Sequence, residues 1–130
     1  MSNSPAELKA IKAKDLHAHY AFAQAISLYQ QAIILAEQQG DADKVAQYRR
    51  DLGDVYDDAA DHDQAQVCYE QALSHYLASE GDDSSNVVDL RNRLGLALEG
   101  QGEFDQAITM YQRALATNIR RYGEDQVFKI

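Results

Sequence analysis

Two stretches of the chain repeat the same order of small and large residues, and this repeat limits the fold more than any other feature. Residues 51–73 read DLGDVYDDAADHDQAQVCYEQAL, and residues 91–115 read RNRLGLALEGQGEFDQAITMYQRAL. Each stretch has a Leu-Gly pair near its start, Leu52-Gly53 or Leu94-Gly95. Twelve residues after the glycine comes an alanine, Ala65 or Ala107, and four residues later a tyrosine, Tyr69 or Tyr111. A repeat of this length indicates one supersecondary unit that is copied along the chain.

The spacing of apolar residues predicts that these units are helical. In residues 22–39, for example, Ala25, Tyr29 and Ala32 recur at the three- and four-residue intervals of an amphipathic helix. Ser4 followed by Pro5 is typical of a helix start, and glycines fall where helices should end. We predict six helices, at residues 5–20, 22–39, 42–59, 62–79, 86–99 and 103–122.

Consecutive helices are joined by turns short enough to form antiparallel hairpins. Aligning the second helix of each hairpin superposes Ala25, Ala65 and Ala107, with periods of 40 and 42 residues. The predicted fold class is an all-α solenoid of three helix-turn-helix repeats. We expect one domain over residues 1–122, with repeats at 5–40, 42–81 and 84–122, followed by an apolar tail at 123–130.

This pattern resembles the tetratricopeptide repeat (TPR). The family signature has Leu-Gly and an aromatic residue in the first helix, then alanine and an aromatic residue in the second. The second and third repeats match it, whereas Ala13 replaces the glycine in the first, and Arg49 and Arg91 stand in place of the opening tryptophan. The long period is similar to kinesin light chain-type repeats. The resemblance implies a non-enzymatic scaffold that binds a peptide or helix of a partner protein.

Glycine inside a helix costs about 1 kcal/mol relative to alanine, so Gly53 and Gly95 need a compensating contact. We expect the second helix of each hairpin to press against the bare backbone at these glycines, and we expect Ala65 and Ala107 to allow the same close approach from the other side. The tyrosines that follow would then fill the gap to the neighbouring hairpin.

The charge limits the partner. With 21 acidic and 12 basic residues, the formal net charge is −9. This disfavours nucleic acid and anionic membrane surfaces, which attract clustered Lys and Arg, and favours a basic or mixed-charge protein or peptide. No apolar run approaches the ~20 residues of a membrane span, and the start lacks the basic and apolar segments of a secretory signal. We therefore expect a cytoplasmic location.

No motif predicts catalysis, a metal or a cofactor. Cys68 lies on an apolar helix face, where a free cysteine is a small core residue. His62 aligns with Phe22 and Phe104 and should occupy a packing position. The aspartates around it straddle a helix end and lack the glycine and terminal glutamate of an EF-hand loop.

The resemblance implies that the first helix of each repeat lines the concave face, where partner peptides lie. Ala13, Gly53 and Gly95 are equivalent positions of the three leading helices. Residues at fixed distances along the chain from them are the ones we expect to face a ligand. The predicted peptide-binding residues are Lys14, His17, Gln47, Arg50, Asp54, Asp57, Asp89, Asn92, Arg93, Leu96 and Glu99.

The sequence leaves open two alternatives to peptide binding, which are self-assembly and a role as the sensor portion of a larger protein. The chain could assemble with itself through its end helices, with the C-terminal end and the tail Val127-Phe128-Lys129-Ile130 as a homo-oligomer surface. The tail could equally begin a further helix of a longer array or fold back over the last hairpin. The chain could instead be the sensor portion of a larger regulatory protein.

Overall fold

A computed structural model of the chain describes residues 3–123, and within these residues all regular structure is helical. This confirms the predicted all-α fold. The apolar tail, apart from Gly123, lies outside the described residues. The helices are α1 (Pro5–Ala18), α2 (Phe22–Gln38), α3 (Ala42–Asp58), α4 (His62–Glu80), α5 (Ser85–Gly100) and α6 (Phe104–Tyr122).

The helix boundaries lie within two residues of the predicted ones and follow local chemistry. The Ser4 hydroxyl accepts a hydrogen bond from the Glu7 amide at 3.2 Å, as expected for an N-cap. α1 ends at Ala18, earlier than predicted, because Tyr20 adopts a left-handed φ of 63° in the turn. Ala60 repeats this φ of 63° at the equivalent turn of the second hairpin, and Gly102 takes a φ of 81° in the third. A glycine was therefore not required at the first two turns.

The helices stack in chain order as three hairpins, α1–α2, α3–α4 and α5–α6, with α2 packed on α3 and α4 on α5. Two groups of buried residues fill the space between them. One joins the first hairpin to the second and includes Tyr29, Leu52 and Cys68, and the other joins the second hairpin to α5 and includes Tyr69 and Leu94. The core is thus a continuous row between successive helices, as in a solenoid.

The contact at the helical glycines differs from the expected one. A Cβ atom placed on Gly53 would lie 2.6 Å from the ring of Tyr69, and one on Gly95 would overlap the ring of Tyr111. The second helix of each hairpin therefore does press against the bare backbone, but it does so through the ring of Tyr69 or Tyr111. Both alanines are nevertheless buried. The same tyrosines pack inside their own hairpin instead of filling only the gap to the next one.

Candidate peptide-binding groove

A cavity of about 450 Å³ opens between the three leading helices α1, α3 and α5. We call it the acidic groove. Its lining contains seven of the predicted residues and two, Asp58 and Tyr69, that sequence reasoning missed. The seven are His17, Asp54, Asp57, Asp89, Asn92, Arg93 and Leu96.

A hydrogen-bonded network joins three helices across the floor of the acidic groove. The Tyr69 hydroxyl on α4 donates to Asp54 Oδ1 on α3 at 2.6 Å. Arg93 on α5 donates to the other oxygen of Asp54 and, through Nε, to Asp89 Oδ2 at 2.9 Å. Burial and the Asp54 carboxylate together raise the pKa of Tyr69 above its usual range, so the hydroxyl keeps its proton. Burial opposes the charge on Arg93, but its hydrogen bonds to Asp54 and Asp89 hold the pKa of the guanidinium above its usual value.

The other two carboxylates of the acidic groove lie beside histidines. Asp57 Oδ1 is 2.7 Å from His62 Nδ1, and Asp58 Oδ2 is 2.6 Å from His17 Nε2. Because Asp58 follows Asp57 at the last turn of α3, it comes within reach of α1 although it falls outside the expected columns. The lining of the acidic groove therefore holds four carboxylates and one guanidinium, and two of the four, Asp54 and Asp89, contact Arg93.

The remaining predicted residues lie apart from this cavity. Lys14 and Gln47 line a separate space of about 240 Å³ between α1 and α3, together with Asp51. Arg50 pairs with Asp51 at 3.1 Å, and burial raises the pKa of Asp51 although Arg50 opposes the shift. Glu99 accepts a hydrogen bond from the Tyr111 hydroxyl at the far end of α5. Nine of the eleven predicted residues thus line two separate cavities and not one continuous groove, and Arg50 and Glu99 line neither of the two.

Cys68 and His62, the two residues weighed above for a chemical role, both pack against neighbouring helices. Cys68 is buried in the core beside α2 and α3, and burial raises the pKa of its thiol to about 11, which leaves no thiolate near neutral pH. The His62 ring lies against the backbone of Gly100. Within residues 3–123, no group of three His, Cys, Asp or Glu side chains is arranged to hold a metal ion. None of the described helices is both long and apolar enough to cross a membrane.

Comparison with protein families gives one match. A family model for the tetratricopeptide repeat matches residues 21–78 and again residues 61–120. Among curated proteins, none matches the sequence.

Solved structures share the fold. The crystal structure of BtubC (BKLC) from P. vanneervenii is similar with a TM-score of 0.82 and 23% identity over 93% of this chain and 48% of that one. Two crystal structures of MamA each give a TM-score of 0.70. One has 26% identity over 89% of this chain and 60% of the other, and the second has 24% identity over 96% and 58%. The chain therefore spans about half to three fifths of the length of these proteins.

Proposed function

The chain belongs to the tetratricopeptide repeat family, and on this premise we propose that it is a non-enzymatic interaction module that binds a basic or mixed-charge peptide in the acidic groove. TPR domains generally serve as protein-binding scaffolds, and the family match covers most of the chain. The observation that carries the proposal is the charge of the groove, which holds four aspartates and one arginine.

The four aspartates differ in what they can offer a ligand. Asp54 and Asp89 already bind Arg93, so their charge is partly balanced inside the protein. Asp57 and Asp58 contact only histidine rings in this network. A lysine or arginine side chain of a peptide would therefore bind between these two carboxylates and displace or join the histidines.

The rest of the groove supplies contacts of other kinds. Asn92 is exposed and can donate to and accept from a peptide backbone, and the exposed Leu96 offers an apolar contact one turn along the same helix. Arg93 is held in place by its two carboxylates and orients Asp54 and Asp89, so its role is to position the floor of the groove.

Binding of labelled peptides tests the proposal. Two peptides of equal length, one rich in Lys and Arg and the other in Glu, are titrated with the protein, and fluorescence anisotropy reports the dissociation constants. We expect the basic peptide to bind and the affinity to fall with added salt. Asp58→Lys should weaken binding by roughly fivefold or more, because a partly exposed ion pair contributes up to about 1 kcal/mol and the reversal adds repulsion.

Asp15→Lys is the matched control, because Asp15 is exposed like Asp58 and also lies beside a histidine, but at 3.6 Å and outside the acidic groove. It should leave the dissociation constant unchanged. Equal weakening by both variants would mean that overall charge and not the groove determines binding, and stronger binding of the acidic peptide would contradict the proposal outright.

A second candidate function is self-association through an end helix, and it is favoured by the exposed apolar side chains of α6.

Two finer proposals accompany these functions. The 40- and 42-residue periods support the kinesin light chain-like subtype. The acidic, soluble-type composition supports a protein partner in the cytoplasm.

A further inference from the structure

The outer face of α6 lacks the cover that the equivalent face of α2 receives. Phe22 and Ile26 of α2 are half-buried against the core that contains α3, and Ile33 on the same face is only 8% exposed. In α6, the residues equivalent to Phe22 and Ile26 are Phe104 and Ile108, which are 61% and 51% exposed. Part of the difference at Phe104 is local, because the rings of His17 and Tyr20 lie against Phe22 and the last hairpin has Glu99 and Gly102 in their places. For Ile108, the residue type matches that of Ile26, and α6 has no following helix within residues 3–123 to cover it.

Six exposed or half-exposed side chains of α6 form a regular line, which we call the α6 seam. Its residues alternate at spacings of four and three, the pattern that keeps one face of a helix against a partner helix in a coiled coil. Five of the six are apolar or aromatic, and the line runs the whole length of α6, roughly 28 Å at 1.5 Å per residue. The seam consists of Phe104, Ile108, Tyr111, Leu115, Asn118 and Tyr122.

The opposite end of the solenoid is a poor partner for the α6 seam. In α3, the buried Leu52 and Val55 face the preceding helix, and in α1 the equivalent positions hold Lys12 and Asp15. Stacking the seam of one copy onto α1 of the next would take Lys12 and Asp15 out of water, which is costly for charged groups. Head-to-tail assembly is therefore disfavoured, although Leu8 and Ile11 of α1 are also exposed.

A second copy of α6 is a better fit because α6 carries an acidic residue at its N-terminal end and a basic residue at its C-terminal end. Glu103 precedes the first turn, and Arg121 follows five turns later on the same flank. The Arg121 guanidinium lies 4.9 Å from the ring centroid of Tyr122, which keeps it at the edge of the seam. In an antiparallel pair, Glu103 of each copy would lie beside Arg121 of the other.

We propose that a second copy of this chain docks on the α6 seam, with the two α6 helices antiparallel. Full overlap places Phe104 of one copy against Tyr122 of the other and Tyr111 against Leu115 at the centre. Such a contact is isologous and closes as a dimer. The inference rests on the self-association candidate and is independent of peptide binding, because none of the residues lining the acidic groove belongs to α6.

Sedimentation velocity of the full chain, from low micromolar to several hundred micromolar, tests the proposal. The mass should rise from the monomer, 14.5 kDa, to twice this value and then stay constant. Ile108→Ser should raise the dimer dissociation constant by at least about tenfold, because each dimer loses two buried isoleucines. Ile34→Ser is the matched control, since Ile34 is 54% exposed on α2 and should leave the constant unchanged. Circular dichroism verifies that both variants are folded.

Charge exchange tests the antiparallel arrangement itself. Glu103→Arg and Arg121→Glu should each weaken the dimer, and the chain that carries both should dimerise as the parent does. Failure of the double variant to recover would overturn the antiparallel pairing. A mass that grows beyond the dimer would overturn the antiparallel dimer but would still show self-association. A monomer at every concentration would overturn both the dimer and self-association. None of these results alters peptide binding in the acidic groove, which the anisotropy titration measures separately.

Discussion

The middle hairpin, α3–α4, and the last hairpin, α5–α6, carry the same pairing of a helical glycine with a tyrosine, but in different surroundings. In the middle hairpin, α5 covers Tyr69, which is 2% exposed, and its hydroxyl binds the half-buried Asp54. In the last hairpin, Tyr111 lies on Gly95 in the same way, remains half-exposed and binds the exposed Glu99. The contact within the hairpin is therefore local, whereas burial of the tyrosine depends on the next helix.

This difference indicates how the solenoid derives its stability. Each hairpin brings its own glycine and tyrosine together, but only a following leading helix removes the tyrosine from water and fixes its hydroxyl in a network. The nearest-neighbour behaviour of repeat arrays has this origin. The last hairpin should consequently tolerate changes that the middle hairpin cannot.

The largest expected contrast comes from filling the glycine position. Gly53→Leu should destabilise the protein by roughly 3 kcal/mol, because the new side chain collides with the Tyr69 ring, which is almost fully buried. Gly95→Leu should cost about 1 kcal/mol, since Tyr111 can move outwards into solvent. Urea unfolding measures both. Equal losses would show that cover by the next helix does not constrain the ring, and an unchanged free energy at Gly53 would contradict the packing itself.

A smaller contrast is expected when only the hydroxyl is removed. Tyr69→Phe leaves one oxygen of Asp54 without its hydrogen bond in a partly buried site, which should cost about 1 kcal/mol. Tyr111→Phe removes a hydrogen bond to an exposed carboxylate that water can replace, and it should cost no more than about 0.5 kcal/mol. The same urea titrations compare the two. A larger loss at Tyr111 would mean that the last hairpin is the more rigid one.

The repeat in the sequence was sufficient to predict the helices, their pairing and their stacking, because these depend on the spacing of small and apolar residues. It also predicted that Asp54, Asp89 and Arg93 share one face of the leading helices, and all three line the acidic groove. It did not predict that Arg93 would bridge two carboxylates or that Tyr69 would donate to Asp54, since both contacts depend on side-chain rotamers and on the offset between neighbouring hairpins.

The same dependence explains why the predicted site divided into two cavities. Lys14 and Gln47 occupy columns of the repeat like those of the acidic groove, yet they line the separate cavity between α1 and α3, whose lining also contains Asp51, the partner of Arg50. Column positions follow from the sequence period, but the division of a surface into cavities depends on side-chain rotamers, which the period does not give. Asp58 shows the reverse case, because its nearness to His17 follows from the end of α3 and not from the repeat.

The smallest expected signal is that of a single tyrosine among the eight in the chain during alkaline titration. Burial and the neighbouring Glu99 raise the pKa of Tyr111 to about 12, and burial with Asp54 raises the pKa of Tyr69 as well. An unfolded chain ionises its tyrosines near pH 10. Both residues therefore contribute their full stability below about pH 10, and the contribution is lost as the pH rises towards the folded values.

Difference titration isolates the two residues. The near-ultraviolet absorbance of tyrosinate in the parent, minus that in Tyr111→Phe, should rise with a midpoint near pH 12 while the helices persist. The corresponding difference for Tyr69→Phe should appear only together with the loss of helical circular dichroism, because an enclosed hydroxyl beside a carboxylate ionises when the hairpin opens. Coincident steps before unfolding would mean that α5 does not enclose Tyr69, and the distinction between the middle and last hairpins would then fail.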